Sequence, residues 1–192
     1  VKKFIKLQLI FLVFSFNCFA LTPKVVITED SALFRVKDSI FFLSDVKDQI
    51  SEIKLFKCVL PDSLLLTTMR LDNYDYTKIK LDENSTSARD FIKQLSSLEI
   101  LFGFVEKQGV FLSKEFIEKL SLKKCEAPSI DNWSKYFGNL IKSESFLQER
   151  FLLGKLKKGQ VLDGKTKTDA KESAQSFLVT LKKQITVQYY QQ

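Results

Sequence analysis

Residues 32–46 read ALFRVKDSIFFLSDV, and this stretch decides the fold. Residues 32–36 and 40–42 are short, apolar and β-favouring, and Lys37-Asp38-Ser39 supplies the polarity of a turn between them. The pattern predicts two short strands folded against each other. From Leu43 onward the period changes. Apolar residues recur at Val46, Ile50, Ile53 and Leu55/Phe56, a helical spacing that runs to about Lys57. Ser44 is a suitable cap for that helix, and Asp45 favours its positive end.

Beyond this start the chain reads as helices. Pro61-Asp62-Ser63 opens a helical turn carrying Leu64, Leu65, Leu66 and Met69. Residues 72–85 are polar and rich in Tyr, Asp and Asn, which predicts a loop. Ser85-Thr86-Ser87 caps a long helix to about Gln108, with Phe91, Ile92, Leu95, Leu98, Leu101, Phe102 and Val105 as its apolar positions. Gly103 lies inside it and Gly109 ends it. Ser113 caps a shorter helix, and after a break at 125–128 helical patterns resume at 132–141 and 143–158. Residues 159–168, GQVLDGKTKT, read as an exposed connector, after which Thr168 or Asp169 opens a last helix to about Lys183. The tail at 185–190 alternates and favours β-structure. The expected fold is mainly α, a helical bundle with a small β-element formed by the N-terminal hairpin and the C-terminal strand. Pairing the tail with 32–42 would satisfy edge groups; the alternative is a frayed helix end.

The first twenty residues, VKKFIKLQLIFLVFSFNCFA, carry Lys2, Lys3 and Lys6 before an apolar run from Leu7 to Phe16 and close on Cys18-Phe19-Ala20. That is the layout of a cleavable signal peptide over 1–20. The run is short for a spanning helix, which needs ~20 apolar residues. An uncleaved anchor and lipidation at Cys18 are the other readings. The expected organisation is a leader at 1–20, a helical domain at 21–158, the connector at 159–168, and 169–192 completing the same domain. The expected location is the periplasm, with no stable membrane span after cleavage.

The chain has 30 basic and 23 acidic residues, a net charge of +7, and three of the lysines belong to the leader. With no block of Lys/Arg, no nucleic-acid partner is expected. There is no histidine, which removes His-based nucleophile triads, His metal sites and imidazole acid–base chemistry. Neither a metal nor a cofactor is expected. Asp72, Asp75, Asp82 and Glu83 cluster in the 72–85 loop, but they lack the spacing and glycine of a calcium loop and read as solvated. Cys58 and Cys125 remain outside the leader. In an oxidising compartment they either close one disulfide or stay as two buried thiols.

The order of elements resembles the N-terminal domain of SurA-type periplasmic chaperones. The residues carrying the likeness are Val36, Asp38, Ile40, Leu43, Ser44, Asp45 and Val46, together with the closing ESAQSFLVTLKKQITVQYY at 172–190. Members of that family usually carry parvulin isomerase domains before the final helix, and parvulin sites rely on histidines. Here only the 159–168 connector stands at that place, so the resemblance implies the chaperone module without the isomerase. It implies a non-enzymatic protein binding unfolded or extended segments of envelope polypeptides. Candidate peptide-binding residues are Phe91, Leu95, Phe102, Phe104, Phe116, Trp133 and Phe137, each of which also reads as core. The alternative is a structural or interaction module that docks one fixed envelope partner.

Overall fold

In the computed structural model, which describes residues 28–81, 85–154 and 163–190, the opening stretch forms a hairpin. β1 (Ala32–Val36) pairs antiparallel with β2 (Ser39–Phe42). Val36 faces Ser39 across a two-residue turn, and Lys37 takes a φ of 53°, because so short a turn needs positive φ. β1 buries Leu33, Phe34 and Val36, and Phe34 stacks on Phe41 with ring centroids 4.6 Å apart. β3 (Val187–Tyr189) adds to the free edge of β1, giving the strand order β2-β1-β3. The tail therefore pairs with the hairpin, with Phe34 opposite Tyr189 and Val36 opposite Val187. The leader expected at 1–20 lies outside the described residues.

α1 (Leu43–Val59) follows β2 without a gap. It begins two residues earlier than Ser44 capping would place it. Phe42 is still extended, at φ −98° and ψ 167°, and presents its N–H to the carboxylate of Asp45 at 2.8 Å. α2 (Leu64–Thr68) is capped by Ser63, and α3 (Thr86–Lys107) by Ser85, whose hydroxyl accepts the Ala88 N–H at 3.1 Å. α3 is the central element. It buries Phe91, Leu95, Leu98 and Leu101 and runs through Gly103 without a break. The Tyr189 and Ser96 hydroxyls, 2.9 Å apart, tie β3 to it. α4 (Lys114–Glu118) is a short turn capped by Ser113.

The helical patterns expected at 132–141 and 143–158 form, as far as the described residues reach (to 154), one run rather than two helices. Ile130–Asn132 is a 3-10 turn, and α5 (Lys135–Leu147) starts on a Ser134 cap and passes through Lys142-Ser143. Its inward residues Phe137, Leu140, Ile141, Glu144 and Leu147 keep one helical register, so nothing interrupts it. It continues as a π-helical turn over Gln148–Leu153. The connector at 159–168 is also corrected. α6 (Gly164–Lys182) begins inside it, with the Asp163 carboxylate accepting the Thr166 N–H at 2.7 Å. Its inward residues there, Thr166 and Ala170, are small, so the sequence showed no apolar stripe.

The described part of the 72–85 loop, up to residue 81, is packed rather than simply solvated. Leu71 and Leu81 are buried, and Tyr74 and Tyr76 meet Phe91 edge-on at 5.0 and 5.9 Å. One polar group is buried deeper than any sequence pattern suggests. Glu144 is fully buried and accepts from Ser63 Oγ (2.7 Å), Leu64 N–H (2.9 Å), Leu65 N–H (2.6 Å) and Gln148 Nε2 (2.6 Å). A carboxylate on α5 thereby satisfies the orphan donors at the start of α2 and fastens the two helices together.

Candidate functional site

A groove of about 640 Å³ opens between the end of α3, the 109–113 loop, α4 and α5. Its walls differ in chemistry. Phe102 and Val105 of α3, Val110 and Leu112 of the loop and Ile117 of α4 make an apolar wall, closed at one end by Ile130 and Trp133. On α5, Lys135, Gly138, Asn139, Lys142 and Ser143 line the other wall. These positions follow the i, i+3, i+4, i+7, i+8 spacing that puts residues on one helix face. Lys135 and Lys142 are exposed and neither forms an ion pair among the described residues. The Ser143 hydroxyl is buried with no hydrogen-bond partner among the described residues. A Cβ added at Gly138 would meet nothing within 4 Å.

Phe111 stands at the lip, 91% exposed. Gly109, at a φ of 61°, turns the chain out of α3, and Ser113 starts α4, so the three residues Val110-Phe111-Leu112 must bridge the gap. Val110 and Leu112 pack inward and Phe111 is left outside. The rest of the groove is stiff. The Trp133 indole donates to the Pro128 carbonyl at 3.2 Å, and its ring meets Phe137 edge-on at 5.4 Å. Phe102 is held edge-on by Tyr136 at 5.2 Å.

Cys58, in the last turn of α1, is bonded to Cys125, with Cα atoms 5.9 Å apart across a separation of 67 residues. The bond pins the connection that leads to Ile130 and Trp133, where Ser121 N–H also reaches the Val59 carbonyl at 3.4 Å. Closing a loop of that size is worth about 4 kcal/mol by chain entropy.

Behind the lysine wall lies a second polar cluster. Glu99 of α3 accepts from Gln49 Nε2 at 3.3 Å, and burial pushes its carboxyl up to about 7, with the nearby Lys135 charge opposing. Gln49 Oε1 and the Tyr136 hydroxyl are buried beside it without hydrogen-bond partners among the described residues. Burial raises the Tyr136 phenol well above its ordinary range, and the Glu99 charge adds to this.

The structure separates the seven residues singled out as peptide-binding. Phe102 and Trp133 line the groove. Phe91, Leu95 and Phe137 are fully buried, and Phe116 is buried beneath α4. They sit on the inward stripes of their helices, where apolar periodicity places core. Phe104 turns to a separate cluster with Phe146 and Phe177, at 5.6 and 5.3 Å. The sequence reading missed Phe111, Val110, Leu112 and Ile130. An apolar triplet squeezed between a helix-ending glycine and a helix-capping serine was the available signal, since so short a bridge cannot bury all three side chains.

Of the loop carboxylates, Asp75 is held at about 2 by hydrogen bonds from Thr77 and Lys78. Asp82 and Glu83 lie outside the described residues. Among the described residues no group of His, Cys, Asp and Glu is placed to hold a metal ion, and no helix is long and apolar enough to cross a membrane. Compared with known protein families, with curated proteins and with solved structures, the chain gives no match.

Proposed function

We propose that this chain is an exported, non-catalytic chaperone-like module of the SurA N-terminal kind, which holds extended apolar segments of unfolded envelope proteins in its groove. The observation that carries this reading is a phenylalanine almost wholly exposed on the lip of an apolar-walled groove. A large ring left in water beside other apolar surface gains free energy when a partner covers it. Apolar burial is non-directional, so such a groove accepts many sequences. The Cys58–Cys125 bond supports a working place outside the reducing cytoplasm. The element order, a strand pair at one end completed by the closing helix and strand, fits the same reading.

Gly138 offers a test that does not injure the fold. Gly138→Leu removes a helix-interior glycine, which favours the helix by roughly 0.5–1 kcal/mol, and drives a large side chain into the groove. The purified native chain is expected to suppress aggregation of an unfolded outer-membrane protein, and Gly138→Leu to lose that effect while melting at the same temperature or higher. No suppression by the native chain at several-fold molar excess overturns the reading. Recovery of a single stoichiometric envelope partner in its place would mark the groove as a fixed docking site.

A further inference from the structure

The groove carries most of its polar groups on the α5 wall, and that limits what it holds best. Its α5 wall presents the ammonium groups of Lys135 and Lys142, which form no ion pair among the described residues, with the Asn139 amide between them and the Ser143 hydroxyl, also without a partner among those residues, at its base. These are hydrogen-bond donors in need of acceptors. Glu106, on the opposite wall, is the one acidic residue lining the groove among the described residues, and it disfavours a carboxylate on that side.

Resting on the reading above, we infer that the groove selects extended segments in which apolar side chains are accompanied by acidic ones, the apolar groups facing α3 and α4 and the carboxylates facing Lys135 and Lys142. The two lysines are seven residues apart on a helix, which sets their Cα atoms about 10 Å apart along the axis. An extended chain covers that distance in about three residues. Carboxylates two to four positions apart in the segment therefore reach both ammonium groups, and Asn139 lies opposite the backbone between them. Each such pair is partly exposed, so the selectivity is modest and depends on salt.

Short fluorescent peptides with one common apolar core, flanked by either Glu or Lys, test this against the native chain. The Glu-flanked peptide is expected to bind about fivefold tighter at low ionic strength, with the gap closing as salt is added. Lys135→Glu combined with Lys142→Glu is expected to reverse the order while leaving the fold intact by circular dichroism, because both side chains are exposed. Equal binding of the two peptides overturns the acidic preference and leaves the groove as a purely apolar site. Binding of neither peptide overturns the groove reading itself.

Discussion

Two aromatic-rich surfaces flank the same helical run, and they are finished in opposite ways. At the α5 end, Phe146, Phe151 and Phe177 gather with Phe104, and the Arg150 guanidinium lies over the first three at 5.8, 5.6 and 5.1 Å from their centroids. That patch carries its own cation as a cover. The π-helical turn at Gln148–Leu153 contributes both Phe151 and the arginine. Among the described residues the groove has no such cover, and Phe111 stands exposed beside it. The chain thus has the means to close an aromatic surface with a side chain of its own, and within the described residues uses them on one surface only. An uncovered surface next to a covered one is the more telling candidate for a partner.

Both surfaces hang on α5, so the largest effect is expected where α5 is anchored. Glu144→Ala removes the acceptor of the Ser63 hydroxyl and of the Leu64 and Leu65 N–H groups, all of them buried. Buried donors left without partners cost about 1–3 kcal/mol each in other proteins, so a loss of about 3 kcal/mol or more is expected in urea unfolding. The comparison predicts that both surfaces fail together. Protease cleavage should rise at the groove and at the π-helical turn alike. A variant that loosens one alone would show that α5 is not their common support.

The next effect belongs to the groove side. Glu99 titrates at about 7 in the folded chain against an ordinary value of 4.5, mainly because burial disfavours its charge. The folded state therefore holds this proton more tightly than the unfolded state between those values. The stabilisation is fully present below about pH 4.5 and is lost as the pH rises through 7. Glu99→Gln keeps an acceptor for Gln49 and drops the titration. It should match the native chain near pH 4 and exceed it by about 3 kcal/mol above pH 8. Parallel stability–pH profiles would mean that Glu99 ionises freely.

These two carboxylates also mark what the sequence could not disclose. The hairpin, the serine caps at Ser85 and Ser113 and the core stripe of α3 were legible, because they follow from local turn chemistry and from period alone. The closure by β3 was legible too, from the need to satisfy edge groups. Glu144 looks like any polar residue on a helix; its partners Ser63, Leu64 and Leu65 lie about 80 positions away, and only the fold brings them to it. The start of α6 was hidden because its inward residues are Thr166 and Ala170, which give no apolar stripe. The groove was half legible. Phe102 and Trp133 stood out as aromatics, but aromatic content alone favoured Phe91 and Phe137, which the core absorbs.

The smallest effects on stability separate the two surfaces most sharply. Arg150→Ala uncovers three rings and removes contacts worth about 1 kcal/mol, so a small destabilisation is expected. Phe111→Ser removes a side chain that packs on almost nothing, and the melting temperature should stay within error of the native value. Client binding is expected to move the other way. Arg150→Ala should leave the affinity for an apolar peptide unchanged, whereas Phe111→Ser should weaken it by about tenfold, the value of burying most of one ring on a partner. A Phe111→Ser chain that binds as tightly as the native one would place the partner elsewhere. A destabilised one would mean that Phe111 belongs to the fold and not to the ligand. The pairing matters more than either number: a residue with no role in stability and a large one in binding is a residue the chain displays rather than packs.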